Sequence, residues 1–76
     1  MRLDLMTWPE IDAQLSQGIC AVLPIGSTEQ HGPMGLIGTD TICAQTVAEH
    51  AAKIAGTITA PALAYTPAPF NTGFPG

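Results

Sequence analysis

The chain has 76 residues, 46% hydrophobic and only 11% charged, with six acids against Arg2 and Lys53 for a net charge of -4. That length allows at most one domain, burying about 60% of its unfolded surface, and two cations offer a phosphate backbone almost nothing to neutralise, which excludes nucleic acid as a partner. The opening MRLDLMTWPEID lacks a basic segment ahead of an apolar stretch, and no apolar run of about 18 residues follows, so neither a signal peptide nor a membrane span is expected.

An average soluble domain is about 25% charged. So little charge reads in one of two ways: a surface of small neutral residues, or a chain whose apolar residues are largely interior and interface of something larger. The second is the expectation, because small scaffolds without staples rarely stand alone. Cys20 lies in an apolar run and Cys43 on a helical pattern, so both are expected as buried thiols in a reducing, cytoplasmic compartment.

The first predicted element is a helix from Thr7 to about Gln17. Thr7 caps it, Glu10 three residues later completes a capping box, and Pro9 fits a first turn that needs no N-H there. Gly18 stops it, Ile11 and Leu15 mark its buried stripe, and Trp8 is expected to anchor its edge by packing. Ile19 to Ile25 is a continuous apolar run between Gly18 and Gly26, read as a strand buried on both faces and therefore part of a parallel sheet covered by helices. Pro24 ends its regular pairing. In such open α/β sheets ligands bind beyond the carboxyl ends of the strands.

The segment that follows carries the chemistry. Glu29 and His31 are separated by one residue and share a side in extended backbone. Asp40 follows at the mouth of the next helix, and two carboxylates with an imidazole are the donors expected for zinc, manganese or iron. Glu29, His31 and Asp40 are thus read as half of a metal site. Gly32, Pro33, Gly35 and Gly38 keep the connection irregular, but it matches no phosphate-binding pattern and contains no lysine.

Thr39 to Ala55 is the longest periodic segment, a helix with Ile42, Val47, Ala51 and Ile54 beside Ala44, Ala48 and Ala55 on its apolar face. Gln45, Glu49 and Lys53 lie opposite, Thr39 or Asp40 is the expected N-cap, and Gly56 ends the helix. Asp40 could be a cap and nothing more; its company with Glu29 and His31 favours a ligand. His50 is read as a surface histidine near the helix C-terminus. Thr57 to Ala64 is a second short strand limited by Pro61, reached by a crossover expected to be right-handed. The tail from Tyr65 to Gly76 is loop, and its aromatics Tyr65, Phe70 and Phe74 either line a pocket or pack.

WPEI at 8 to 11, LPIGSTEQHGP at 23 to 33 and GTD at 38 to 40 closely resemble the N-terminal part of the creatininase family, the creatinine amidohydrolase-like metalloenzymes, and the likeness runs on through PALAYTPAPFNTGFPG. The resemblance implies a three-layer α/β/α fold with a mostly parallel sheet, of which residues 1–76 supply the first strands and helices. It also implies two divalent metal ions, Glu29 binding one, His31 the other and Asp40 bridging them, with the remaining ligands on sequence absent here or on a second chain. One departure is visible: the family's usual GPHLPLGTD stands here as GPMGLIGTD, with Met34 where histidine is common.

The function implied is metal-dependent hydrolysis of a C-N bond in a linear or cyclic amide. Ser27 and Gln30 are candidates for orienting the ligands; no residue is assigned as the catalytic acid or base. The alternative is a non-catalytic fragment or structural subunit that contributes half of the metal site and an assembly interface. Implied partners are a second chain carrying the rest of the domain, a small-molecule amide substrate, and further copies of the complete unit, up to a hexamer. A proteolytic cut after Gly76 is the speculative form of the two-chain expectation.

Overall fold

The computed structural model describes residues 1–69, 72, 73 and 75. Leu3–Leu5 form a 3-10 turn, followed by α1 (Trp8–Leu15), β1 (Ala21–Val22), α2 (Thr39–Ala55) and β2 (Ile58–Thr59). The strands pair in parallel, Ala21 with Ile58 and Val22 with Thr59, so β1, α2 and β2 make a β-α-β unit. Parallel bridges extend the pairing, Ile25 with Leu63 on one side and Arg2 with Thr59 on the other. β2 is therefore flanked on both sides: Ala60 N-H donates to Val22 O at 2.8 Å, while Thr59 N-H donates to Met1 O at 2.7 Å. Pro61 falls just past its end, where no ladder donor is required.

α2 covers the expected residues and ends at Gly56, whose φ of 69° supplies the left-handed C-cap and whose N-H bonds to Ala52 O. Its packing face is narrower than the apolar pattern suggested. Only Ala48 and Ala52 are buried, against the strand pair, while Ile42, Val47 and Ile54 are exposed. Two alanines four apart let a helix lie close on a two-stranded sheet; larger side chains fall to either side of that contact. Arg2 pairs with Asp4 at 2.8 Å and reaches Glu49 at 3.6 Å, a half-exposed link from the N-terminal segment to α2.

Several expectations are corrected. The strand foreseen over Ile19 to Ile25 is regular only at Ala21–Val22, and Leu23 and Ile25 are exposed rather than buried on both faces. Cys20 and Cys43 are free and exposed, not buried. Trp8 is 78% exposed and anchors nothing by burial, and α1 has no buried residue. Thr7 is the N-cap of α1, but its hydroxyl bonds to the Glu10 carboxylate at 2.9 Å instead of a backbone N-H, so the capping box does not form. The N-cap of α2 is Gly38, which places Thr39 and Asp40 in the first turn. Phe70, Phe74 and Gly76 lie outside the described residues.

One physical cause underlies most of these differences. The Cα radius of gyration is 15.4 Å, against about 11 Å for a compact chain of this length. Extents of 48 × 20 × 17 Å leave one thin layer of helix on a two-stranded sheet, so among the described residues many apolar side chains patterned for burial stay exposed. No helix among the described residues is long and apolar enough to cross a membrane.

Candidate metal centre

Beyond β1 the chain is stitched to the segment after β2 and then to the first turn of α2. Gly26 N-H donates to Leu63 O at 2.8 Å, Thr66 Oγ1 to Gly26 O at 2.6 Å, and Thr28 Oγ1 to Ala64 O at 2.8 Å. On the helix side, Thr41 Oγ1 donates to Ser27 O at 3.1 Å. Gly26 is required for that approach: a Cβ there would stand 2.5 Å from Thr41 Cα and 2.6 Å from Thr41 N.

The loop then turns back on itself. Glu29 N-H donates to Ile37 O at 3.0 Å, and Gly32, at φ 78°, has its N-H capped by Gln30 Oε1 at 2.8 Å. A Cβ on Gly35 would run into the His31 carbonyl oxygen. These contacts carry Glu29 and His31 over the N-terminus of α2, where Asp40 sits in the first turn and its negative charge suits the helix dipole. Glu29, His31 and Asp40 each present a ligand atom, and the three atoms lie within 4.8 Å of one another. His50 is not part of this cluster.

Hydrogen bonding fixes the orientation of the ring. His31 Nδ1 lies 3.2 Å from Glu29 O. A carbonyl oxygen only accepts, so Nδ1 carries the hydrogen and Nε2 is left with the lone pair in the neutral ring. Nε2 faces Asp40 Oδ1 at 3.4 Å. The buried Ser27 hydroxyl lies 2.7 Å from Asp40 Oδ2 and 3.0 Å from Glu29 Oε1, one hydrogen between two carboxylates. The cluster is thus rich in acceptors and poor in donors, and it is open, with His31 exposed and both acids half-buried. The donor set fits a divalent ion of borderline softness: two carboxylates and an imidazole lone pair converge, with the Ser27 hydroxyl between the acids.

The same geometry shifts two pKa values. His31 is raised above 6.5, first by its bond to the Glu29 carbonyl and then by the charges of Asp40 and Glu29, against some desolvation. Asp40 is lowered below 3.8, first by the Ser27 hydroxyl, then by the Glu29 carboxyl and by His31. The signs follow. The His31 contribution to stability is present below 6.5 and is lost as pH rises through the raised value; that of Asp40 is present above 3.8 and is lost as pH falls through the lowered one. Both operate between those limits. In metal-free protein, an NMR titration of the His31 ring is expected to give a midpoint above 6.5, falling only part of the way in Asp40→Asn because the Glu29 carbonyl remains. A midpoint at or below 6.5 in the parent chain contradicts this geometry.

Sequence reasoning placed Glu29, His31 and Asp40 together and named Ser27 and Gln30 as orienting groups. It did not identify Thr28, Thr41 and Thr66, whose hydroxyls tie the strand end down. The available signal was the density of hydroxyl residues beside the candidate ligands, Ser27 and Thr28 before Glu29 and Thr39 and Thr41 around Asp40.

A family model for creatininase, described as creatinine amidohydrolase, matches residues 4–76. The chain belongs to the creatininase family. It is 36% identical over 72 residues to a 3-dehydro-scyllo-inosose hydrolase from Thermotoga maritima, covering 93% of this chain and 23% of that protein. It is 33% identical over 61 residues to a creatinine amidohydrolase from Pseudomonas putida, covering 79% of this chain and 24% of that one. Among solved structures, a mutant creatininase described as Zn-Zn type superposes with a TM-score of 0.80 at 31% identity, covering 84% of this chain and 25% of that one. The chain therefore spans about a quarter of the length of these relatives, and its β-α-β unit is part of the creatininase α/β fold.

Proposed function

We propose that this chain supplies one side of a dinuclear metal centre for hydrolysis of an amide C-N bond. The observation that carries the reading is the convergence of the Glu29, His31 and Asp40 ligand atoms within 4.8 Å at the carboxyl end of a parallel strand pair. Glu29 would hold one divalent ion, His31 through Nε2 the other, and Asp40 would be shared. Zinc, manganese and iron all suit these donors, and the description of a solved family member as Zn-Zn type favours zinc. Bound ions supply Lewis acidity, lowering the pKa of water and polarising a carbonyl.

The residues of this chain hold and orient. The Glu29 carbonyl keeps the His31 hydrogen on Nδ1, and the first turn of α2 presents Asp40. All three ligands are committed, so the proton for a leaving nitrogen is assigned to a group elsewhere in the assembly. The two curated relatives are named for different substrates, so the substrate is proposed only as a small amide, linear or cyclic.

A second reading shares the same site: a structural subunit that contributes ligands and an interface without completing a catalyst. Its support is the exposed apolar surface, with Met34 95%, Tyr65 92%, Trp8 78% and Ile54 78% exposed. Both readings need the rest of the fold, on the same polypeptide or a second one, and we propose that the complete unit assembles in copies, up to a hexamer. The free cysteines suit a reducing, cytoplasmic setting. Amine or ammonia release from a panel of linear and cyclic amides by the native assembly, before and after chelation, separates them. Release that stops on chelation and returns with zinc or manganese supports the enzyme; release indifferent to chelation overturns the metal mechanism, and none under any condition leaves the structural subunit.

A further inference from the structure

Ser27 is buried at 7% exposure, yet its side chain holds no backbone in place. The backbone around it is secured by other groups: Gly26 N-H on Leu63 O, Thr28 Oγ1 on Ala64 O, and Thr41 Oγ1 on the Ser27 carbonyl itself. That leaves the hydroxyl, which meets two carboxylates from different elements, Glu29 in the loop and Asp40 on α2. Two like charges brought this close repel unless something of opposite polarity lies between them. A hydroxyl fixed from both sides of the backbone is such a group, and it sorts the carboxylate oxygens. Oδ2 of Asp40 faces Ser27, whereas Oδ1 faces His31 Nε2.

From this we infer that Ser27 is a positioning residue for the metal centre, its single hydroxyl hydrogen holding Glu29 Oε1 and Asp40 Oδ2 together where the two acids would hold divalent ions. The inference rests on the metal reading above. Outer partners of this kind govern the orientation of ligands, and their loss typically lowers metal affinity about 10- to 100-fold. Removing the hydroxyl leaves the backbone clasps in place and lets the carboxylates swing apart.

Cobalt(II) titration of the native assembly tests this, with the visible absorption of the bound ion as a readout of ligand geometry and far-ultraviolet circular dichroism as a readout of helix content. Ser27→Ala is expected to bind cobalt about 10- to 100-fold more weakly, with a changed visible band and unchanged helix signal. Ser27→Thr, which keeps the hydroxyl, is expected to restore both affinity and spectrum. Cobalt bound equally well and with the same spectrum by Ser27→Ala overturns the inference alone, as does a Thr variant that restores nothing. A Ser27→Ala assembly that loses its helix signal assigns Ser27 to the fold and also overturns it. Absence of cobalt binding by the parent assembly, with His31→Ala indistinguishable from it, refutes the metal reading and this inference with it.

Discussion

Replacing His31 with alanine is expected to remove one metal equivalent and nearly all hydrolysis by the native assembly. The ring is the only nitrogen donor in the cluster, and the Glu29 carbonyl commits its Nε2 lone pair to the side where Asp40 stands. In the proposed two-ion arrangement, its loss would leave one position with only Asp40 from this chain. Loss of a direct ligand should exceed the roughly 10- to 100-fold cost of losing an outer partner. Asp40→Asn should act differently: a shared ligand lost weakens both positions, so both equivalents fall together. Metal per chain by elemental analysis, measured beside turnover, checks the pair. Full metal content in His31→Ala would sink the assignment, and one equivalent retained in Asp40→Asn would remove the shared role of Asp40.

The parts of this molecule that were legible in sequence are those governed by local chemistry. α2 could be read from Thr39 to Ala55 because its periodicity is long and Gly56 is the residue a left-handed C-cap prefers. The approach of Glu29 to His31 was legible from a one-residue spacing, and that of Asp40 from its place at a helix start. Burial was not legible, because apolar patterning records what a side chain would do given a partner surface. Ile25, Leu63 and Val47 carry the pattern of a covered sheet and helix, yet are 58%, 51% and 68% exposed. Trp8 failed for the same reason. The Ser27 to Asp40 contact spans 13 positions and depends on how closely the strand end approaches α2, which no spacing encodes. Thr7 shows a smaller limit: the motif placed hydroxyl and carboxylate correctly, but they bond to each other and leave the backbone uncapped.

That close approach makes Gly26 the position where a single methyl group should do most damage. An alanine Cβ would lie 2.5 Å from Thr41 Cα, 2.6 Å from its N and 2.7 Å from its Oγ1. The hydroxyl could turn away, but the two backbone atoms belong to the first turn of α2 and cannot. The strand end must therefore retreat from the helix. Overpacking of this kind costs about 1–3 kcal/mol, and each hydrogen bond lost adds about 1 kcal/mol. The bonds at risk are Thr41 Oγ1 to Ser27 O and Ser27 Oγ to Asp40, so the retreat also carries Ser27 and Glu29 away from Asp40. Gly56→Ala is the control. Its φ of 69° penalises a side chain, but no atom stands within 4 Å of the added methyl, and it lies at the other end of α2. Its cost should be about 1–2 kcal/mol, with the site intact. Denaturant midpoints and cobalt affinities of the two variants should therefore diverge: both are destabilised, but only Gly26→Ala also loses the ion. Wild-type affinity in Gly26→Ala would mean that Glu29 and Asp40 do not depend on the strand end meeting the helix, and the account of how this site is built would be wrong.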